Sequence, residues 1–458
     1  MRLTSSRAAL GGAVLAVALL TTACWRAAPI DGPSAPAGVN TTTDRVSDDK
    51  AATPISWNVY PNLMALVTTD SNTHTVRLGI YDHDQQWKWQ RIDGPGAVGS
   101  GVSGDQMGGG AAIVQSAPGN VGPHLDAFYY DITAGTLRHS SIYGLSVTDE
   151  TVDGPGVTTA GHTDDVSGQF TNATWMSGTV IHVVYGSVHP TSPGATLRLR
   201  HAWKDTANGS DTWHYEDVDG TAFVNWPGHT TDNVGQELSV AAFGGNEHVF
   251  YRDDTTHRLR HAVYNGTGWT MEDVDGPGVP GGGGRTTNVI SAIGALAGND
   301  GFLHAFYTDG TGQLHHAFGN GSSWSFQALD GPGTGTAAGR TGDHLFGTVR
   351  AVQNSPGPLI DVLYTDFTNY ALRHAQWTGG GWRFEVIDGH GGLVAGGTGD
   401  QVGFPSITGA VSQQMNAGVY GGVTSSILHT FTGDLTTGDL REECTLGAGI
   451  AAPPNCNN

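Results

Sequence analysis

The chain has 458 residues, of which 42 are acidic and 21 basic, giving a formal net charge of −21 with histidine neutral. A surface of that sign repels phosphate backbones, so the composition argues against nucleic-acid partners. Glycine reaches 70 residues, but the glycines cluster at regular intervals between apolar segments, which points to many tight turns rather than disorder.

At the start, Arg2 and Arg7 precede an apolar run over 8–20, and small residues lead on to Cys24. A charged stretch, an apolar stretch and a cleavage zone make a signal segment over 1–24, too short to be a spanning helix. Leu20-Thr21-Thr22-Ala23-Cys24 resembles a bacterial lipobox, with Thr21 where such motifs usually carry Leu. The resemblance implies lipidation at Cys24, a membrane anchor there and an extracytoplasmic location; a plain secretory signal is the alternative. Removal of this segment takes away two arginines and no acid, and the net charge becomes −23.

From residue 25 onward one frame keeps returning: an apolar residue, then Asp-Gly, usually then Pro. Its aspartates are Asp31, Asp93, Asp153, Asp219, Asp275, Asp330 and Asp388, spaced 62, 60, 66, 56, 55 and 58 apart. A period near 60 marks one supersecondary unit copied in tandem. The unit from His248 to Gly278 reads HVFYRDDTTHRLRHAVYNGTGWTMEDVDGPG. Those from His304 and Asp361 follow it closely, the one from Asp126 is looser, and the one from His182 carries an insertion around 188–197.

Each unit reads as strands. Phe-Tyr-x-Asp is a β run ending in a polar turn, and Leu-Arg-His-Ala is a second run. A tip such as Asn265-Gly266 or Asn320-Gly321 is a hairpin signal and leads to a third run, in which Trp269 and Met271, or Trp382 and Phe384, share one face at period two. A further apolar run lies upstream, at 111–114, 238–242, 289–293 or 347–352. Four strands per unit is the pattern of a propeller blade. A connector follows each Asp-Gly, as in Gly101-Ser103-Asp105, Gly228-Thr230-Asp232 or Gly339-Thr341-Asp343. Its Asp or Asn suits turn capping, with a rim of cation-binding acids as the alternative.

The spacing of Trp25, Ile30, Asp31 and Gly32 repeats that of Trp382, Ile387, Asp388 and Gly389. Residues 25–54 therefore read either as an outermost strand with its connector or as a tether. The propeller itself runs over 55–447, with strands expected at 407–411, 417–420 and 428–431, and 448–458 form a tail. The fold expected is all-β, a seven-bladed propeller of four-stranded blades, with six blades as the alternative. Strands from both termini would close the ring and leave no open edge. Cys444 and Cys456 are a candidate disulfide in an exported chain.

The repeated frame of Tyr-x-Asp, Leu-x-His-Ala, Gly-Trp and Asp-Gly resembles the seven-bladed β-propeller lectins of the Photorhabdus-lectin type and, more distantly, the six-bladed fucose lectins. The resemblance covers about 55–447. It implies sugar sites between neighbouring blades, packed on aromatics and held by polar side chains. The chain departs from those lectins in ending its units with Asp-Gly-Pro and in carrying Arg138, Arg200, Arg260 and Arg373 inside the Leu-x-His frame.

Two constellations carry chemistry. Asp126 with His139, His182 with His201, His248 with His261, His304 with His316 and Asp361 with His374 flank one hairpin in each unit. They read as structural hydrogen bonds, with a repeated ligand or metal site as the sharper alternative. The arginines with Glu216, Glu272 and Glu385, and with Trp213, Trp269, Trp324 and Trp382, match in kind what a sugar site needs: planar hydrogen bonding and an apolar face. The same residues also read as salt bridges and inter-sheet core. No catalytic residue is expected, because no unit carries an acidic pair missing from its siblings. No metal site or cofactor is expected, because one pair per unit falls short of three or four ligands and no zinc, P-loop or EF-hand pattern stands out. The function expected is glycan binding at repeated sites; the alternatives are a cell-surface scaffold for protein partners and, less favoured, a glycoside hydrolase.

Overall fold

The structure is a computed structural model. It describes residues 24–33, 35, 41–42, 53–57, 63–70, 72–81, 87–116, 124–169, 173–189, 196–221, 226–280, 288–290, 293–354, 359–390, 392, 397–399, 401–402, 429–437 and 439–446. The signal segment before Cys24, the strands expected at 407–411 and 417–420, and Cys456 lie outside these.

Among the described residues nearly every element is a strand, and these strands group into seven antiparallel sheets that follow one another along the chain. Sheets 1 to 6 end in Asp93, Asp153, Gly220, Asp275, Asp330 and Gly389. Sheet 4 shows the plan: Val234–Phe243, Asn246–Asp253, Arg258–Tyr264 and Trp269–Asp275 pair in chain order. Its second strand is buried on both faces over His248–Tyr251 because neighbouring sheets cover both, whereas the fourth alternates over its first four residues. The seventh sheet draws on both ends of the chain. Cys24–Asp31 pairs antiparallel with Leu440–Leu446, which pairs with His429–Gly433. We call it the closing sheet.

The sheets pack face to face in a cycle, the arrangement of a β-propeller. Apolar clusters join sheet 1 to 2, 2 to 3, 3 to 4, 4 to 5 and 5 to 6. Ile30, Phe431 and Leu440 of the closing sheet pack with Trp87 and Trp89 of sheet 1. Arg441 of the closing sheet reaches Asp388 of sheet 6 at 2.8 Å. First strands of consecutive sheets pack on one another, so they line the axis and fourth strands lie outermost. Each wholly buried Phe, Val or Leu in these interfaces contributes about 1.5–3 kcal/mol.

The first strand is interrupted in several sheets, with register shifts between Gly108 and Ala112, Gln236 and Ser239, and Leu345 and Val349. In sheet 5 Val289 forms an isolated bridge to Asp309, and the strand proper is Gly294–Ala297, later than the 289–293 expected. A ladder that must bend at the crowded axis gives up pairing at this point.

A second irregularity is functional for the architecture. Third and fourth strands shift register just before Asp-Gly in sheets 1 to 6: between Val76 and Arg77, Leu137 and Arg138, Leu199 and Arg200, Leu259 and Arg260, Leu314 and His315, and Leu372 and Arg373. The bulge leaves one residue unpaired and re-aims the aspartate that follows. Gly276 then takes φ 121°, and a Cβ there would lie 2.9 Å from Arg258 Cα, so only glycine turns the chain here. The connector that leaves Gly220 of sheet 3 crosses the outer strand of sheet 4. Met271 N–H donates to the Pro227 carbonyl at 2.9 Å, and a Cβ on Gly228 would lie on the Met271 carbonyl. The connector thereby covers part of the edge that an outermost strand would otherwise present.

Candidate functional site

Between consecutive sheets the repeated residues form two sets of contacts. The first centres on the Asp of Asp-Gly. Oδ1 of Asp219 accepts from Gly220 N–H at 3.0 Å and from Thr230 N–H of the connector at 2.6 Å. Its Oδ2 accepts from Tyr251 at 2.7 Å and from Arg260 Nε at 3.1 Å, both on the next sheet. Arg260 Nη2 donates to the connector carbonyl of Gly228 at 2.6 Å, and Nη1 to Asp273 of its own sheet at 2.5 Å. Arg138, Arg200 and Arg373 meet Asp93, Asp153 and Asp330 in the same way, and Arg77 meets Asp31. All are buried. Sheet 5 departs: His315 stands in the arginine slot and faces Asp309 at 3.1 Å, while the Tyr307 hydroxyl bonds Asp275.

This places the four predicted arginines. Their guanidinium groups bind aspartates and backbone carbonyls across a sheet boundary, each set being a latch between neighbours. The tyrosines Tyr129, Tyr185, Tyr251, Tyr307 and Tyr364 complete the latches and were not among the predicted site residues. Their signal was present as the recurring Tyr of Phe-Tyr-x-Asp, a residue that sheets 2 to 6 carry and sheet 1 replaces with Thr68. Burial and the neighbouring Asp219 hold the Tyr251 hydroxyl well above its ordinary pKa, so it stays a donor. In sheet 2 the Tyr129 hydroxyl lies between Asp93 at 2.9 Å and Asp149 at 3.1 Å, and burial pushes Asp149 up to about 6.

The second set holds the predicted glutamates and tryptophans. His261 Nδ1 and Glu272 Oε1 are 3.0 Å apart on adjacent strands, and Trp324 of the next sheet donates its indole N–H to the same oxygen at 2.9 Å. Glu216 takes His201 at 2.8 Å and Trp269 at 2.8 Å. Glu150, which was not predicted, takes His139 at 3.0 Å and Trp213 at 3.0 Å. Glu385 takes His374 at 2.9 Å. In sheet 5 Gln327 replaces the glutamate and bonds His316 at 2.7 Å, and the buried indole N–H of Trp382, which would face it, has no acceptor. Trp213, Trp269 and Trp382 are buried and Trp324 is partly so. Trp213, Trp269 and Trp324 act through an edge N–H and an apolar contact within the interface, Trp382 through the apolar contact alone. The glutamates stay partly open, with side chains 36, 23, 36 and 33% exposed at Glu150, Glu216, Glu272 and Glu385.

Behind each glutamate, and behind Gln327 in sheet 5, lies the predicted hairpin pair. Asp126 and His139, and Asp361 and His374, are 2.8 Å apart. His182 and His201 stand at 2.9 Å, and His248 with His261 and His304 with His316 at 2.8 Å. The two kinds of pair have opposite electrostatics. Burial opposes a charged His139, but its hydrogen bonds to Asp126 and Glu150 prevail and hold it up at about 9; His374 is held at about 9 in the same manner. Burial and the adjacent imidazole push His182 down to about 3 and His248 to about 4. Among the described residues no group of three or more His, Cys, Asp or Glu is arranged to hold a metal ion.

The structure thus brings Trp213, Trp269 and Trp324 to glutamates and leaves Trp382 without one, and it brings the arginines to aspartates instead. Cys24 is the first residue of its strand, opposite Leu446, and Cys444 lies opposite Arg26.

Two cavities break the repeat. One, of about 490 Å³, lies over Arg77 of sheet 1 and is lined by Trp89, Gln90, Arg91, Thr42 and Val98 among others. The other, of about 530 Å³, lies between sheets 5 and 6 and is lined by Ile290, His344, Phe346, Phe367 and Tyr370. Phe346 and Phe367 meet edge to face at 5.9 Å there. Neither had been predicted, since both arise where one copy departs from its siblings.

No protein-family model matches the chain, and no curated protein matches it. Among solved structures, the chain is similar to a mutant Aleuria aurantia lectin in complex with Fucα1-6GlcNAc, at 17% identity and TM-score 0.45 over 78% of this chain and 98% of that one. It is similar to the SapL1 lectin in complex with α-methyl fucoside, at 14% identity and TM-score 0.42 over 77 and 98% of the two chains. It is also similar to the α-L-arabinofuranosidase of Fusarium graminearum in complex with an iminosugar inhibitor, at 10% identity and TM-score 0.46 over 75 and 93%.

Proposed function

We propose that this protein is an exported, lipid-anchored, seven-bladed propeller that binds glycans at repeated sites between its blades and does not turn them over. The observation that carries the reading is the row of half-open carboxylates. Glu150, Glu216, Glu272 and Glu385 recur at equivalent positions, each oriented by a histidine of its own sheet, and the first three also by a tryptophan of the next. A fixed, partly exposed carboxylate is a directional acceptor for sugar hydroxyls. Copies on a single rigid ring would add weak affinities into avidity. At Glu150 both oxygens also accept from Lys204, at 3.0 and 3.1 Å, so Glu216, Glu272 and Glu385 are the copies that would take sugar. Repeated sites suit binding better than catalysis, which needs one differentiated centre.

The seven-blade reading rests on seven sheets in one cycle of packing. The anchor reading rests on Leu20-Thr21-Thr22-Ala23-Cys24. Because strand pairing starts at Cys24 itself, an acyl group there would hold the closing sheet at the bilayer without a spacer.

Residues 25–458 applied to a broad glycan array, with and without calcium, test the binding reading. Retention of one sugar class supports it, and a blank array with folded protein sinks it. Release of chromophore from aryl glycosides would sink the non-catalytic part. Cys24→Ala should abolish incorporation of a labelled fatty acid. A second reading, a scaffold for a protein partner, is favoured by the non-repeated aromatic cavity at Phe346, Phe367 and Tyr370; loss of a pull-down partner on Phe367→Ser, with silent glycan arrays, would select it.

A further inference from the structure

The cavity over Arg77 marks a place where one copy differs from its siblings in charge. In sheets 3 and 4 the latch arginine stands directly across the strand pair from an aspartate: Arg200 from Asp217 and Arg260 from Asp273. Both aspartates accept from the arginine's Nη1 at 2.5 Å. In sheet 2 the partner is Thr151, which accepts from Arg138 Nη1 at 3.0 Å. In sheet 6 it is Val386. In sheet 1 the residue across from Arg77 is Arg91.

Like charges set directly opposite on paired strands destabilise a sheet, and a net charge of −21 elsewhere offers many acids that would relieve the pair. None does so for Arg91, which is exposed and makes no hydrogen bond or ion pair among the described residues. Both arginines line one open cavity of about 490 Å³, within the range of small-molecule sites at about 300–1,000 Å³. Gln90 and Thr42 add polar groups to it, and Trp89 and Val98 apolar surface.

We propose that this cavity is an anion subsite, and that its ligand is the carboxylate of an acidic sugar. The inference takes glycan binding as its premise and adds a second ligand class at a second kind of site. The ligand's carboxylate would occupy the position that Asp217 and Asp273 fill in the sibling sheets. Guanidinium groups bind planar carboxylates with paired hydrogen bonds, and the ring hydroxyls would meet Gln90 and Thr42. A carboxylate is favoured over phosphate because that is the group the siblings place there.

The test is calorimetric titration of residues 25–458 with trigalacturonate, with its fully methyl-esterified form and with inorganic phosphate, at low and high salt. Short oligomers avoid repulsion between a polyanion and an acidic protein. Binding of the acid, weakened by salt and absent for the ester, is expected. Arg91→Asp supplies the siblings' own carboxylate, so it should weaken binding roughly tenfold or more while leaving the melting temperature equal or higher. Arg91→Gln should weaken binding without that gain in stability. Equal binding of acid and ester, phosphate bound as tightly as the uronate, no binding at all, or undiminished binding by Arg91→Asp would each overturn the proposal. Neutral glycans held at the glutamates should not respond to Arg91→Asp. Uronate binding with a blank neutral array would therefore overturn the glutamate sites alone, and the reverse result would overturn this subsite alone.

Discussion

Arg260 and Asp219 belong to different sheets and meet at 3.1 Å with both side chains buried. The chain between them passes through a tight glycine turn and a connector whose Thr230 N–H and Gly228 carbonyl bond the same two side chains. One ion pair thus ties the end of one sheet, the connector and the third strand of the next. Arg260→Met should leave Asp219 buried with its tyrosine donor but no counter-charge, a loss of about 3–5 kcal/mol. Adding Asp219→Asn should recover part of it. Urea unfolding of both variants checks this, and equal stability of wild type and single variant would refute the latch.

Sheet 5 offers a test by repair. Gln327→Glu gives the Trp382 indole N–H the acceptor that Trp269 and Trp324 already have. The expected gain is roughly 1 kcal/mol, read as a higher melting temperature. The same change sets a carboxylate beside His316, which burial now holds well below its ordinary pKa, and should raise it, measurable by NMR titration.

The two kinds of hairpin pair predict opposite pH responses. His182 and His248 sit at about 3 and about 4 in the fold, against about 6.5 in an unfolded chain. The unfolded state binds more protons between those values, so their contribution is present above about 6.5 and is lost as pH falls toward 4. His139 and His374, at about 9, contribute fully below about 6.5 and lose that contribution as pH rises through 9. His248→Gln should flatten the acid limb of stability against pH, and His139→Gln the alkaline limb. Parallel curves for wild type and variants would contradict the assignment.

If the open glutamates hold sugar, charge removal should act by copy number. Glu272→Gln alone should lower retention on a glycan-coated surface modestly, because the remaining copies still engage. Glu216→Gln, Glu272→Gln and Glu385→Gln together should lower it by much more than a single change, with circular dichroism unchanged. Surface plasmon resonance at several glycan densities measures this. A triple variant that binds like wild type would remove the glutamates from the site.

The period of the Asp-Gly frame, the strand character of each unit and the pairing of His248 with His261 were all legible in sequence, because local alternation, turn chemistry and repetition are written along the chain. The spacing of Trp25, Ile30 and Asp31 left residues 25–54 as either an outermost strand with its connector or a tether; in the fold Cys24–Asp31 pairs with Leu440–Leu446. The partner of each side chain across a sheet boundary was not legible. Arg260 and Glu272 lie on neighbouring strands, which suggested one site. The pleat sends them to opposite faces, Arg260 toward Asp219 of the sheet before and Glu272 toward Trp324 of the sheet after. Only the stacking of sheets decides which faces meet. The same holds for Arg91: its charge is plain in the sequence, but its position opposite Arg77 over an open cavity follows from strand register and from the neighbouring connector. Sequence by itself determined the repeating unit; the closed ring determined which residues are latches and which remain open to a ligand, because burial and counter-charge there come from the adjoining copy.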